Sequence, residues 1–144
     1  MEYLKHANSF RDLVVYKKAQ FIAKTIFAIT KNFPKEEMYS LTDQVRRSSR
    51  SVGAQIAEAW AKRKYIKHFT SKLTDADGEQ LETQHWVETA DYCGYLEVKQ
   101  KELLTRELSE VGKMLNSMMN KAELFCGNYN YSVKESITEY FTDN

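Results

Sequence analysis

Chain breakers are scarce in this sequence: there is one proline, Pro34, and only five glycines in 144 residues. A β fold with many turns needs far more of both, so the scarcity favours long helices joined by short connections. Cysteine is just as sparse. Cys93 and Cys126 are too few for a disulfide framework, and both are expected to be reduced thiols in a cytoplasmic protein. No charged-then-apolar leader or long apolar span opens the chain, so neither export nor a membrane is expected. Also missing is any nucleophile–base pair or glycine-rich phosphate loop at a recognisable spacing, which points to a non-enzymatic protein with no cofactor.

The composition that remains is ordinary for a folded domain: 42% hydrophobic and 28% charged residues. The length suits one domain with a single core. A net charge of +1 hides a segregation along the chain. Residues 1–64 hold 13 Lys+Arg against 6 Asp+Glu, a net +7, and residues 65–144 hold 8 against 14, a net −6. Folding the halves together can pair these charges internally, and an oligomer can expose them instead.

Hydrophobic periodicity divides the chain into a loose N-terminus (1–9), a four-helix bundle (10–124) and a C-terminal extension (125–144). Ser9 and Asp12 resemble a capping box that opens helix one, about Phe10 to Lys31. Val15, Ala19, Ile22, Ile26, Ile29 and Phe33 form its seam, with Tyr16, Ala23, Phe27 and Thr30 on one flank and Val14 and Phe21 on the other. Only a narrow polar strip around Lys17, Lys24 and Lys31 remains. That breadth exceeds what a monomeric bundle needs, so Tyr16, Phe21 and Phe27 are expected to meet another copy of the chain.

Helix two, Leu41 to Arg63, presents Leu41, Val45, Val52, Ile56 and Ala59, with Ser48, Ser49 and Gly53 leaving room for a close neighbour. Arg46, Arg47 and Arg50 lie beside this stripe. No breaker follows, and the pattern alone would allow one rod through Asp77, so a turn near Lys64 to Lys67 is inferred from domain size. Helix three then carries Phe69, Leu73, Ala76, Thr83, Val87 and Ala90 and ends after Cys93 at Gly94. An antiparallel fold at Lys64 sets Arg47 level with Glu82, Arg50 with Glu79, and Glu58 with Lys72. The arginines can therefore be interhelical ion pairs or a ligand-facing patch. Helix four, about Glu97 to Leu124, repeats Leu104, Leu108, Val111, Leu115, Met118, Ala122 and Phe125 at alternating four and three, which fits left-handed bundle packing. Ser132 and Glu135 would cap a short helix in the extension.

Two chemistries remain to be weighed. Glu82-x-x-His85 is half of a di-iron carboxylate motif, but neither His6 nor His68 follows a glutamate by three, so no metal is expected. Nucleic acid is the stronger expectation. Arg46, Arg47, Arg50, Lys62, Arg63, Lys64, Lys67 and His68 are the candidate contacts, with Tyr65 available for stacking. A protein–protein interaction scaffold is the competing class.

Several stretches resemble one family: FRDLVVYKKA at Phe10 to Ala19, FPKEEMYSLTDQVRRSSRSV at Phe33 to Val52, QIAEAWAKRKY at Gln55 to Tyr65, SKLTDADGEQLETQHW at Ser71 to Trp86 and CGYL at Cys93 to Leu96. Their order and spacing are similar to the small bacterial four-helix-bundle proteins encoded in intervening sequences of 23S rRNA genes. The resemblance implies an all-α, antiparallel up-down-up-down bundle that assembles as a homopentamer. Relatives include the accessory variability protein of diversity-generating retroelements, which implies RNA or DNA and a partner protein as ligands. In that family the arginine pair matches Arg46 and Arg47, and the basic run after the helix matches Lys62, Arg63 and Lys64. The chain departs from it at Val52-Gly53-Ala54-Gln55, where many members read Ile-Pro-Ser-Asn.

Overall fold

Helix formation begins at a reciprocal cap. Ser9 Oγ accepts the Arg11 N–H at 3.2 Å, and Asp12 Oδ2 accepts the Ser9 N–H at 3.2 Å. The box expected to open helix one is therefore formed, but it closes a separate 3-10 turn over Phe10–Asp12. Leu13 then runs extended (φ −67°, ψ 131°) with its side chain buried, and the long helix α1 spans Val14–Thr30. In the computed structural model, which describes residues 7–126, the remaining long helices are α2 (Asp43–Ala61), α3 (Ile66–Tyr92) and α4 (Val98–Asn120). The extension's expected short helix lies outside the described residues.

Each connection is short, so successive helices run antiparallel, and α1 closes the bundle against α4. Pro34 stops the first helix, having no N–H to continue the ladder. A 3-10 turn over Lys35–Glu37 and a wide π-helical turn over Met38–Thr42 lead into α2, which starts two residues later than Leu41. The α2–α3 break falls at Lys62, ahead of the expected turn. Arg63 accounts for this, because its Nε donates to the Trp60 carbonyl at 2.8 Å and its guanidinium lies 3.5 Å from the Trp60 ring centroid. The side chain thus adds a short hydrogen bond to a carbonyl that, among the described residues, otherwise accepts only the Arg63 N–H, at 3.4 Å. Gly94 has φ +79°, the left-handed conformation that ends α3 where expected. Helix four is shorter than expected, since Lys121 leaves helical geometry (φ −114°, ψ 28°). Residues 122–126 resume it, so Ala122 and Phe125 still reach the core.

Every seam residue assigned to helices two, three and four is buried. The small residues of α2 do what their size allows. Gly53 faces α1, where an added Cβ would meet the Tyr16 ring at 3.5 Å, an ordinary packing contact. Ser48 and Thr83 hydrogen-bond across α2 and α3 at 2.8 Å, which satisfies two hydroxyls inside an otherwise apolar core. The predicted helix register is also present: Arg47 pairs with Glu82 at 2.9 Å and Lys72 with Glu58 at 3.1 Å. Arg50 does not follow. Its guanidinium lies 5.6 Å from the Phe27 ring on α1, and Glu79 is left with Oε2 buried and without a hydrogen-bond partner among the described residues. Lys18 joins α1 to α4 through Glu107 at 2.9 Å and Glu110 at 2.6 Å. Among the described residues no helix is long and apolar enough to cross a membrane.

Candidate nucleic-acid interface

The eight candidate basic residues do not form one patch. Residues four apart share a helix face, while a neighbour in sequence is turned by about 100°. Arg46 and Arg50 accordingly face α1, where Phe27 lies 4.9 Å from Arg46 and 5.6 Å from Arg50. Arg46 Nε also donates to Thr30 Oγ1 at 2.8 Å, and that hydroxyl donates on to the Ile26 carbonyl at 2.7 Å. Arg47 faces α3 instead, where it donates to Glu82 Oε2 at 2.9 Å and to Gln44 Oε1 at 3.0 Å. Each arginine therefore has a contact within its own bundle, although Arg47 and Arg50 remain exposed. A ligand reaching Arg47 must compete with a carboxylate already in place.

The second group is different. Lys62, Arg63, Lys64, Lys67 and His68 surround the turn between α2 and α3, at one end of the bundle. All but Arg63 are exposed, and among the described residues Lys62, Lys64 and Lys67 form no ion pair. Residues 59–74 contain no aspartate or glutamate, a gap in the acidic pattern that marks this end in the sequence itself. The helix that starts here strengthens the field. N-cap Tyr65 supplies no side-chain cap, and the first turn of α3 contains no acidic residue to offset the positive end of the dipole. Aromatic surface is interleaved with the charge. Tyr65 is 56% exposed, with the His68 ring 5.3 Å away and Lys64 Nζ 5.8 Å from its centroid, and neighbouring Ile66 is 41% exposed.

The flank of α1 is partly absorbed inside the chain. Ala23 and Thr30 are buried, and Tyr16 is half-buried, edge-on to Phe10 at 4.9 Å, with its hydroxyl accepting from Gln20 Nε2 at 2.6 Å. Phe21 at 47% and Phe27 at 39% remain exposed. Of the three residues expected to meet another copy, these two present open apolar surface. Lys31 also lies over the Phe27 ring, at 4.7 Å, so that surface has a cationic rim.

Glu82 and His85 do not converge on a shared point for a metal. Glu82 Oε2 accepts from Arg47 and, at 3.2 Å, from Trp86 Nε1, while exposed His85 stands edge-on to Trp86 at 4.7 Å. Among the described residues no group of three or more His, Cys, Asp or Glu is placed to hold a metal ion. Cys126 is buried beneath the basic end. Its burial pushes the thiol above its ordinary range, with Arg63 pulling weakly the other way. At the opposite end, the hydrogen bond from Tyr95 to Glu37 at 2.9 Å raises the phenol to about 12.

A polar groove between α3 and α4 escaped the sequence reading. It encloses about 600 Å³ and is lined by Gln80, Gln84, Gly112, Asn116 and their neighbours. Gln80 lies at seam spacing between Ala76 and Thr83 and is buried although polar, and Gly112 is the clue to it: a Cβ there would lie 2.7 Å from the amide nitrogen.

Comparison with known proteins agrees with this architecture. The family model described as 23S rRNA-intervening sequence protein matches residues 11–117. A solved structure of a protein of unknown function from the S23 ribosomal protein family of Bacteroides thetaiotaomicron is 29% identical, with a TM-score of 0.67. The match covers 74% of this chain and 98% of that one. No curated protein matches the chain. With its four seams, its connections and well over half its length accounted for, the chain belongs to the 23S rRNA-intervening sequence protein family.

Proposed function

We propose that the chain is a non-enzymatic nucleic-acid-binding protein that contacts the phosphate backbone through the α2–α3 end of the bundle. One observation carries this reading: Lys62, Lys64 and Lys67 are exposed, lie together, and have no carboxylate partner among the described residues. Cations held apart from acidic groups repel one another, and a polyanion relieves that repulsion while releasing its own counterions. Arg46, Arg47 and Arg50 already have partners on α1 and α3, so they are secondary to the lysines in this reading. In this reading copies of the chain assemble through Phe21 and Phe27, with five copies the number implied by the family resemblance. A ring repeats the basic end, so a weak phosphate affinity at each copy multiplies through avidity.

Anisotropy of a labelled RNA at low salt tests the assignment. Lys62→Ala/Lys64→Ala/Lys67→Ala should abolish most of the binding, while Arg46→Ala/Arg47→Ala should keep most of it. The opposite ranking would move the site to the arginine pair. Absence of binding by the unaltered protein, together with a protein partner retained at high salt, would favour the scaffold reading supported by the open Phe21 and Phe27 surface.

A further inference from the structure

We infer that the basic end takes nucleic acid as a single strand, with an unpaired base stacking on Tyr65. The inference rests on the proposal that this end binds nucleic acid, and it specifies the form bound. Lysines alone do not distinguish single strands from duplexes, since both present phosphates. A fixed, exposed ring does distinguish them, because bases in a duplex are already stacked on one another and offer no face.

Tyr65 is built as such a ring. Its backbone is held on both sides: its N–H donates to the Lys62 carbonyl at 3.0 Å, and its own carbonyl accepts the Phe69 N–H at 3.0 Å. The residue is extended (φ −124°, ψ 111°), which directs the chain out of the turn and into α3. More than half of its surface is open to solvent while His68 stands beside it at 5.3 Å. The backbone that carries the ring is therefore ordered before a base arrives, which favours affinity. Lys62, Lys64 and Lys67 lie on either side in sequence, placing cations where the strand's phosphates flank the stacked base. Among the described residues the exposed large apolar side chains near this end are Tyr65 and Ile66, with Leu124 just beyond α4. Three residues fall well short of the roughly 800 Å² per partner of a stable protein interface, whereas a single base ring matches one tyrosine.

The test compares a labelled oligouridylate of about 12 nucleotides, within the usual site range, with a blunt-ended RNA duplex of similar charge at one salt concentration. The unaltered protein should prefer the single strand. Tyr65→Ala and Tyr65→Leu should weaken the single strand by about 5- to 100-fold and the duplex by less than about 2-fold, while Tyr65→Phe keeps the preference. The salt dependence of Tyr65→Ala should stay parallel to that of the unaltered protein, because no phosphate contact is removed. Equal losses on both RNAs, or no loss in Tyr65→Ala, would overturn the inference and leave backbone binding standing. Binding to neither RNA by the unaltered protein would overturn both.

Discussion

Replacing Gly112 with alanine sets two effects of similar size against each other, and the structure decides between them. Alanine in a helix interior is favoured over glycine by about 1 kcal/mol, so propensity alone predicts a more stable protein. The added Cβ, however, would lie 2.7 Å from Gln80 Nε2 and 3.5 Å from Asp77 Oδ1. Gln80 is 4% exposed, and its amide is used at both ends: Nε2 donates to Asp77 Oδ1 at 2.9 Å, and Oε1 accepts from Gln84 Nε2 at 2.8 Å. Making room moves that amide and breaks one or both bonds, and a buried amide left unpaired costs about 1–3 kcal/mol. Set against the propensity gain of about 1 kcal/mol, this leaves a destabilisation of up to about 2 kcal/mol, which for a bundle of this size lowers the melting temperature by up to roughly 8 °C. Thermal denaturation followed by circular dichroism reads it directly. Gly112→Ala combined with Gln80→Ala should recover much of the loss, with a coupling of about 1 kcal/mol or more. A Gly112→Ala protein that melts above the unaltered one would refute the reasoning, since Gln80 would then swing into the groove without penalty.

Glu79 gives a pH-dependent case. Burial first, then the charges of Glu82 and Asp75, raise its carboxyl above the ordinary value, with Arg47 acting in the opposite sense. The folded state therefore holds this proton more tightly than the unfolded chain. The corresponding stability is fully present below the unfolded value of 4.5 and is lost as pH rises through the raised folded value. Glu79→Gln should stabilise the protein at pH 7 by about 0.5–1 kcal/mol, a figure discounted for the solvent that still reaches the side chain, and the gain should shrink toward about pH 4.5. Urea midpoints at the two pH values check this, and a gain independent of pH would contradict it. Assembly is tested at α1: Phe21→Ser/Phe27→Ser should sediment as single copies with unchanged helicity while the unaltered protein sediments as an oligomer. A single-copy unaltered protein at micromolar concentration would remove the oligomer from the account.

Much of this bundle was legible because helical burial is periodic. The stripe through Leu41, Val45, Val52, Ile56 and Ala59 and the heptad from Leu104 to Phe125 are buried as their spacing requires. Equal distances from one turn were enough to pair Arg47 with Glu82 and Glu58 with Lys72. The end of α2 was displaced because Arg63 folds back onto Trp60, a side-chain contact that periodicity does not encode. Arg50 left the expected partner, Glu79, for the neighbourhood of Phe27 because helical rotation aligns it with Arg46 and away from Arg47. On α1, Ala23 and Thr30 are buried and Tyr16 half-buried within the chain's own bundle, because sequence spacing does not reveal which residues of a neighbouring helix face them. At the candidate site, the basic run at the α2–α3 turn was visible, but separating it from the arginines needed the ion pairs and ring contacts that tie those arginines down.

The salt dependence of RNA affinity tests the central claim most directly. A plot of log K against log salt should fall steeply for the unaltered protein, and Lys62→Ala/Lys64→Ala/Lys67→Ala should flatten it by about 2 units, near 0.7 per lost single-strand contact. A slope near zero, or one that the triple substitution leaves unchanged, would contradict phosphate recognition at the end of the bundle.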